Sequence, residues 1–215
     1  MKRKLISTRR QKRPLVSPKP TRKGNIKITR EGWLNSARVA LIEDGIDGVK
    51  VDRLAKRLKV TRGGFYHHFK SHNQILDELL VMWKNQNRFT PAKVEVSTRK
   101  AASEALDRIT DDLVHETGFD PQFDMAVREW ARISQPTANV VEKVDQQRID
   151  ILRQIFEGMG YEVKDAVIRA RIFYMHQIGY YALGMSEPVG QRESNLPLYI
   201  KALAGTLYRG KHSTG

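Results

Sequence analysis

The chain has 215 residues, 40% of them hydrophobic, so it is long enough for one mid-sized domain or two small ones with a buried core. It contains no cysteine, which excludes disulfides, thiolate metal sites and thiol catalysis. No run of eighteen apolar residues occurs and no apolar stretch follows the charged N-terminus, so we expect neither a membrane span nor a secretory signal, and we expect the cytoplasm.

Positive charge is concentrated at the N-terminal end of the chain. The formal net charge is +14. Residues 1–30 hold twelve Lys and Arg and no acid (+12), residues 31–89 hold ten against seven (+3), and residues 90–215 hold sixteen against seventeen (−1). This distribution indicates a polyanionic partner at one end of the protein.

Residues 1–27 have the composition of a flexible arm, because three prolines and dense like charge accompany few apolar residues. Three roles fit such an arm. It follows DNA phosphates or enters a minor groove, it is a solvated tail, or it is a nuclear import signal. We expect the first role, because a DNA-binding motif comes directly after the arm.

The first helix is expected from a cap at Thr29 to about Asp44, where residues 45–48 end it. Its inner face holds Trp33, Ala37, Ala40 and Leu41.

The segment 49–70 predicts two short helices separated by a tight turn. In its first half, apolar residues recur at i, i+3, i+4 and i+7, as in a helix with one buried face; they are Val51, Leu54, Ala55 and Leu58. Residues 59–61 interrupt this pattern, and the hydroxyl of Thr61 is expected to cap a second helix from Arg62 to about Phe69. The segment is therefore predicted to be a helix-turn-helix.

The second of these helices suits contact with DNA. Phe65 and Phe69 share one face, which leaves the polar residues exposed. Gly63 and Gly64 each cost roughly 1 kcal/mol in a helix interior, so the pair indicates a close approach to another backbone. A recognition helix meets the major groove with its N-terminal residues, where a bare Gly permits a deep position. A flexible turn without a partner is the alternative, and the agreement of the flanking apolar patterns disfavours it.

Residues 61–80, TRGGFYHHFKSHNQILDELL, resemble the recognition helix and following helix of TetR-type bacterial repressors. The shared pattern is a small or polar pair, an apolar residue, Tyr, two residues often including His, then Phe, a basic or polar residue and a capped helix. The similarity extends from about Ile28 to Leu80. It implies an N-terminal three-helix DNA-binding domain followed by a helical domain for effector binding and dimerisation.

The resemblance also implies roles for single residues in DNA binding. Tyr66 and Lys70 are expected to contact phosphates. Arg62, Gly63 and His67 are expected to approach base edges. Lys50 departs from the pattern, since Thr or Ser usually stands there, and we expect it to reach a phosphate instead of capping a helix. The complete candidate set is Lys50, Thr61, Arg62, Gly63, Gly64, Tyr66, His67 and Lys70.

Helical periodicity continues to the C-terminus, and no segment alternates as a strand does. A fourth helix is expected from a capping box at Ser71 to about Phe89. Five more are expected at about Thr98–Glu116, Pro121–Ser134, Thr137–Gly158, Val163–Met185 and Asn195–Arg209. The prediction is an all-α fold of about nine helices. The predicted regions are an arm at 1–27, a helix-turn-helix domain with its connecting helix at 28–90, and a helical effector-binding and dimerisation domain at 91–215.

The segment Val163–Met185 is apolar on nearly all sides, so it must be buried on more than one side. It can pack one face on its own core and another on a second copy, with Asn195–Leu207 as its neighbour. The resemblance implies the same last two helices as the interface of a homodimer. Two recognition helices in a symmetric dimer read a palindromic operator.

Regulators of the resembled family respond to a small molecule held inside the C-terminal helices. The candidate pocket residues are Phe123, Trp130, Phe173, His176, Gln177 and Tyr180. Each aromatic residue taken singly is more often plain core. His176 and Gln177 need polar partners inside so apolar a helix: a ligand, the second subunit or each other. Because this half is nearly neutral, we expect an apolar or aromatic effector.

An enzyme is not expected, because the sequence has no Gly-rich phosphate loop, nucleophile elbow, HExxH motif or thiol. No cofactor is expected either. His67, His68 and His72 are the nearest set to a metal site, but a helix restarts between the last two and no carboxylate is close in sequence. Repression is the expected mode, since a dimer on a promoter blocks polymerase.

The alternative function is a basic protein that binds DNA or RNA through its arm without sequence preference. Single-stranded binders usually interleave aromatic residues with basic ones, and residues 1–27 contain none, which disfavours this alternative.

Overall fold

Nine α-helices make up the part of the chain that the computed structural model describes, residues 28–88 and 90–212. No β-strand occurs within those ranges, and the predicted all-α class and number of helices are confirmed. The predicted basic arm, residues 1–27, lies outside the described residues.

The helices follow one another with short connections. A single 3₁₀ turn, Ile46–Val49, precedes the second helix. The helices are α1 Arg30–Asp44, α2 Val51–Leu58, α3 Arg62–Tyr66, α4 His72–Gln86, α5 Arg99–Val114, α6 Pro121–Ile133, α7 Gln135–Gly158, α8 Val163–Ala182 and α9 Val189–Ala204.

Three predicted helix starts differ in their capping. Thr29 caps α1, its hydroxyl accepting from the N–H of Gly32 at 3.1 Å. Ser71 caps α4 in the same way, accepting from the N–H of Gln74 at 3.2 Å. Thr61 stands at the N-cap of α3, but its hydroxyl makes no capping bond. Its main-chain oxygen accepts from the N–H of Gly64 instead, at 3.1 Å, so the prediction of a side-chain cap was wrong.

Proline explains two further differences between the expected and observed helices. α7 begins at Gln135, before Pro136, because proline is tolerated in a first turn where its missing N–H has no partner to lose. α9 begins at Val189, six residues before the expected start, and contains Pro197 in its interior. The sequence pattern predicted breaks at Pro136 and at Pro188 with Gly190, and the observed helices begin next to both.

Two clusters of buried apolar side chains hold the helices together. The first, called here the N-terminal core, is built from α1 to α4, α6 and the first half of α7; its larger members are Trp33, Leu41, Leu54, Phe65, Phe69, Trp83, Phe123, Val127, Trp130, Val141 and Val144. The second, the C-terminal core, comes from α5, the second half of α7, α8 and α9; its larger members are Leu106, Ile109, Phe119, Leu152, Ile155, Phe156, Phe173, Tyr174, Leu196 and Ile200. Residues on both sides of position 90 therefore share one core.

None of the helices in the described ranges is both long enough and apolar enough to cross a membrane.

Candidate nucleic-acid interface and C-terminal cavity

Aromatic packing holds α3 against α1. Phe65 is fully buried. Its ring meets that of Trp33 edge-on, with centroids 5.5 Å apart, and stacks on Phe69 at 5.0 Å. Contacts of this kind between rings add to the free energy gained by burying them. The five-residue helix α3 is thus fixed by its buried face, although its own hydrogen bonds are few.

The turn between α2 and α3 is closed by main-chain bonds. Lys59 adopts a left-handed conformation with φ of 57°. Its N–H donates to the carbonyl of Lys56 at 3.1 Å, and the N–H of Val60 donates to that of Ala55 at 3.0 Å. Carbonyls at the end of α2 are thereby satisfied, and three residues separate α2 from α3.

The opposite face of α3 is exposed and basic. Arg62, Gly63, Tyr66, His67 and Lys70 are all exposed, and the Tyr66 ring is 54% accessible. Across residues 50–70 the chain carries seven Lys and Arg and one Asp. All eight candidate DNA-binding residues lie in this segment, and Gly64 is the only one of them that is half-buried. The surface is suited to a polyanion.

Two of these bases form exposed ion pairs with neighbouring acids. The Nζ of Lys50 lies 2.8 Å from Asp47, and the Nε of Arg62 lies 2.9 Å from Asp52. Hydrogen bonding to the Lys50 ammonium lowers the pKa of Asp47. Exposed pairs are worth little in water, so both bases can exchange their acid for a phosphate or a base edge at small cost.

The protein's own packing leaves room beside Gly63 and Gly64. A Cβ on Gly63 would meet only the hydroxyl of Thr61, at 3.7 Å, and one on Gly64 would meet the Trp33 ring at 3.6 Å. Both are ordinary van der Waals distances. Nothing in the described chain therefore requires glycine at these two positions.

Sequence reasoning missed the residue that joins α1 to the end of α3. The guanidinium of Arg30 forms a two-bonded ion pair with Glu78 on α4 and lies 4.8 Å from the centre of the Phe69 ring. Its Nε also donates to the carbonyl of His68 at 3.3 Å. Since 48 residues separate Arg30 from Glu78, no local pattern could have found this contact.

Two of the three histidines considered as a metal site are bonded to the main chain. The Nε2 of His68 donates to the carbonyl of Ile28 at 2.9 Å, and that of His72 donates to the carbonyl of Val49 at 3.2 Å. These two hydrogen bonds therefore connect the end of α3 to the segment before α1, and the start of α4 to the 3₁₀ turn.

A partly open cavity of about 60 Å³ lies between α5, α8 and α9. Four of the six predicted pocket residues line it, all from α8: Phe173, His176, Gln177 and Tyr180. Thr110, Leu113 and Val114 from α5 and Leu196, Tyr199 and Ile200 from α9 complete most of the wall. The His176 ring packs against that of Tyr199 at 4.9 Å, and burial lowers the pKa of His176. His176 and Gln177 are the polar residues that α8 contributes to a largely apolar wall, and Glu187 and Arg192 add charged groups to the same wall.

Phe123 and Trp130 do not line this cavity. Both lie on α6 and belong to the N-terminal core. The Phe123 ring is fully buried beneath the guanidinium of Arg38 on α1, 5.4 Å from its centre. These two side chains join α6 to the DNA-binding helices.

A row of exposed apolar side chains runs along α8, and α9 also carries an exposed apolar residue. Ile168, Ile172 and Met175 lie on α8 at helical spacing, Leu183 directly follows the helix, and each is at least half exposed. Leu198 on α9 is 69% exposed. Apolar side chains exposed in such a row are typical of an interface.

The fold and this exposed basic face define a helix-turn-helix DNA-binding protein, and comparisons with known proteins agree. A family model described as bacterial regulatory proteins, tetR family, matches residues 34–79. The transposon Tn10 TetC protein of Escherichia coli is 42% identical over 52 residues, which are 24% of this chain and 26% of TetC. The chain thus matches about a quarter of the length of this curated relative. The match to this family thus covers the helix-turn-helix segment, and it supports an N-terminal DNA-binding domain of the kind found in bacterial regulatory proteins.

Solved structures resemble a larger part of the chain. A transcriptional regulator from Rhodococcus sp. Rha1 superposes with a TM-score of 0.52 at 18% identity, covering 82% of this chain and 91% of that one. BioQ, solved with its double-stranded DNA operator, is more distant, with a TM-score of 0.41 at 19% identity over 83% of this chain and 99% of that one. The first similarity extends the shared fold to the C-terminal helices.

Proposed function

We propose that this protein is a transcriptional repressor that binds a palindromic DNA operator as a homodimer and is released by a small apolar or aromatic effector. It acts by binding and not by catalysis, in the cytoplasm. The observation that supports the proposal best is the exposed basic face of α3, where Arg62, Tyr66, His67 and Lys70 stand beside two glycines that the protein's own packing does not require.

Selection from random duplex DNA tests the DNA-binding part of the proposal. An enriched palindrome is expected, because two copies of α3 related by a two-fold axis read inverted half-sites. Binding without any enriched sequence would favour the alternative, a basic protein that binds nucleic acid without sequence preference.

The proposed dimer is supported by the exposed apolar row on α8 and α9. Replacing Ile172 and Met175 together by Glu places two charges in the proposed interface, and sedimentation is expected to show a monomer. Ile133→Glu is the matched control, because Ile133 is 75% exposed but lies on α6, away from the row. A wild-type protein that sediments as a monomer at micromolar concentration would contradict the proposal.

The proposed effector site is the cavity on α8. Drug-sized ligands usually occupy pockets of about 300–1,000 Å³, so we expect α5, α8 and α9 to separate when such a ligand enters a cavity of about 60 Å³. This need for movement connects effector binding to a change in helix positions.

The effector proposal is tested by screening aromatic compounds for a rise in Tm and for release of operator DNA. His176→Leu is expected to weaken the response to an active compound that bonds to the imidazole, because it removes one of the polar groups of the wall. Trp130→Phe, outside the cavity, is the control. No response in the wild-type protein, or equal losses in both variants, would count against this site.

The arm is proposed to follow DNA phosphates. His68 donates to the carbonyl of Ile28 and Arg30 donates to the carbonyl of His68, so Ile28, the first described residue, lies beside the end of α3. Deleting residues 1–23 removes ten Lys and Arg and is expected to flatten the dependence of affinity on salt, since each phosphate contact contributes about 0.9 to the log–log slope. An unchanged slope would rule the arm out as a DNA element.

A further inference from the structure

A buried carboxylate on α6 holds the end of α4. Asp124 is fully buried. Its Oδ1 accepts from the indole N–H of Trp83 at 2.9 Å and from the amide of Asn87 at 3.3 Å. Its Oδ2 accepts from the Nε of Arg128 at 2.7 Å, and Arg148 lies 3.6 Å from Oδ1. One carboxylate thus bonds to α4, the helix that follows the helix-turn-helix, and pairs with arginines on α6 and α7.

Asn87 directly follows α4, and both the nitrogen and the oxygen of its side-chain amide form hydrogen bonds. It donates to the carbonyl of Asp120 at 3.1 Å and accepts from the N–H of the same residue at 2.6 Å. Its own carbonyl accepts from Arg148 at 2.7 Å. The side chain is 1% exposed. Bonds of fixed direction therefore join the end of α4 to the start of α6 and to α7.

The same cluster continues to the helix that lines the effector cavity. Arg128 makes two bonds to Asp145, at 2.9 and 2.8 Å, and one to the hydroxyl of Tyr174 at 2.9 Å. The hydroxyl of Tyr174 donates to Asp145 at 2.6 Å. Burial raises the pKa of Tyr174, so this hydroxyl stays protonated. Tyr174 is the neighbour in sequence of Phe173, a cavity residue.

These residues form one unit, called here the polar cluster: Trp83, Asn87, Asp124, Arg128, Asp145, Arg148 and Tyr174. Its two Arg and two Asp balance in charge. Buried ion pairs often contribute little to stability compared with apolar side chains of the same size, and their best-attested use is to specify one arrangement. Apolar surfaces can slide over one another, whereas a set of directed hydrogen bonds is satisfied in one arrangement only.

Small rotations of α4 about this cluster have large effects at the DNA. α4 has 15 residues and is therefore about 22 Å long. A rotation of about 10° at the Asn87 end moves the other end, next to α3, by about 4 Å, which exceeds the 3.4 Å rise of one base pair. Phe65 and Phe69 share the N-terminal core with the buried side chains of α4, so we expect the recognition helix to move with α4.

We infer that Asp124 is a positioning residue that sets the angle of α4 and thereby the spacing between operator half-sites that the dimer accepts. It does so through Trp83 and Asn87 and touches no DNA itself. The inference rests on the proposed function, since spacing is defined only for a dimer that reads a palindrome.

The test is a selection from duplex DNA in which both the half-site sequence and the spacer length are randomised. Wild-type protein is expected to enrich one spacer length. Asp124→Asn keeps the side-chain shape but removes the charge and one acceptor. It is expected to enrich the same half-site bases with a spacer distribution that is broader, or shifted by at least one base pair. Retention of the half-site sequence shows that α3 is folded, which a general loss of structure would not allow.

Asp107→Asn is the matched control. Asp107 is also a buried carboxylate, but it bonds to the hydroxyl of Tyr208 and the N–H of Lys211 near the C-terminus, away from α4. Its replacement is expected to leave the spacer distribution unchanged. Equal broadening in both Asn variants would overturn the inference, because the effect would then follow from any lost buried charge.

Trp83→Phe supplies a second, milder variant, and it decides the matter if Asp124→Asn does not fold. It removes one N–H donor, keeps an aromatic ring in the core and is expected to broaden the spacing less than Asp124→Asn. If every folded variant of Trp83 and Asp124 enriches the same single spacer length as the wild-type protein, this inference is overturned and the proposed function is not. Wild-type protein that enriches no palindrome would overturn the proposed function and this inference together.

Discussion

The residues proposed to contact DNA and the residues that line the C-terminal cavity are arranged differently along the chain. In α1 to α4 the candidate contact residues fall within 21 consecutive positions, 50–70, and nearly all are exposed. In α5 to α9 the cavity wall is assembled from α5 and from α8 and α9, which follow α5 only after two further helices, and most of its residues are apolar. An interface built on one short segment can therefore be predicted from the order and spacing of its residues. A cavity cannot, because its lining depends on how separate helices pack.

The two regions are nevertheless not independent in their packing. α6 lies in the C-terminal part of the chain, but Phe123, Val127 and Trp130 belong to the N-terminal core. The polar cluster crosses the same boundary. The following four predictions ask how far the two regions can be separated, beginning with the largest expected effect.

Phe65→Ala is expected to lower the free energy of unfolding by about 3–5 kcal/mol and to abolish operator binding, because it empties the space that holds α3 against Trp33. Chemical denaturation and a DNA-binding titration measure the two effects. Phe156→Ala, also fully buried but in the C-terminal core, is expected to cost as much stability while the folded fraction keeps its half-site preference. Loss of that preference in both variants would contradict a separation between the regions.

Arg62→Ala and Lys70→Ala are expected to affect DNA binding differently although both residues are exposed. Arg62→Ala is expected to relax the preference at one base pair by about 1–3 kcal/mol, since arginine reads base edges. Lys70→Ala is expected to weaken all sequences alike and to reduce the salt slope by about 1. Titrations with operators changed at single base pairs, repeated at several salt concentrations, distinguish the two. A uniform loss for Arg62→Ala would show that it contacts only phosphate.

Lys50→Ser is expected to raise the free energy of unfolding by about 1 kcal/mol, because Lys50 occupies the N-cap of α2 without a side-chain capping bond and serine can supply one. The same change removes a charge and should weaken DNA binding. Lys56→Ser is the control, since it removes an exposed charge from the same helix without offering a cap. Thermal unfolding that gives both variants the same Tm would contradict the capping argument.

Gly63→Ala is expected to change stability and DNA binding in opposite directions. The added methyl meets nothing closer than 3.7 Å and favours the helix by no more than about 1 kcal/mol, but it lies on the face proposed to enter the groove. Gly190→Ala, near the start of α9 with open space around it, is expected to change only stability. Unimpaired operator binding by Gly63→Ala would show that α3 does not approach the DNA closely there.

Much of the N-terminal region could be predicted because its signals are local. The apolar spacing of α2, the caps at Thr29 and Ser71 and the two rings of Phe65 and Phe69 each follow from residues within one turn or two. The side-chain cap at Thr61 was predicted wrongly, because a favourable residue type does not determine which oxygen the free N–H groups reach.

The polar cluster could not be predicted, although its residues are visible in the sequence. Asp124 and Arg128 are four apart on a helix, a spacing that is typical of an exposed ion pair. Only the packing of α4 and α7 over that face shows that the pair is buried. In the same way Phe123 and Trp130 were expected in a pocket by their residue type, and the tertiary structure places them under α1 instead.

The shared N-terminal core also bears on how such regulators can be recombined. A chimera that joins residues 28–90 of this chain to the C-terminal helices of another regulator would place a foreign α6 against Trp33 and Trp83. Side chains at the positions of Phe123, Val127 and Trp130 would have to fill the same volumes, since cores tolerate changes in shape poorly. The smallest portable DNA-reading unit of this protein is therefore α1 to α4 together with α6 and the first half of α7.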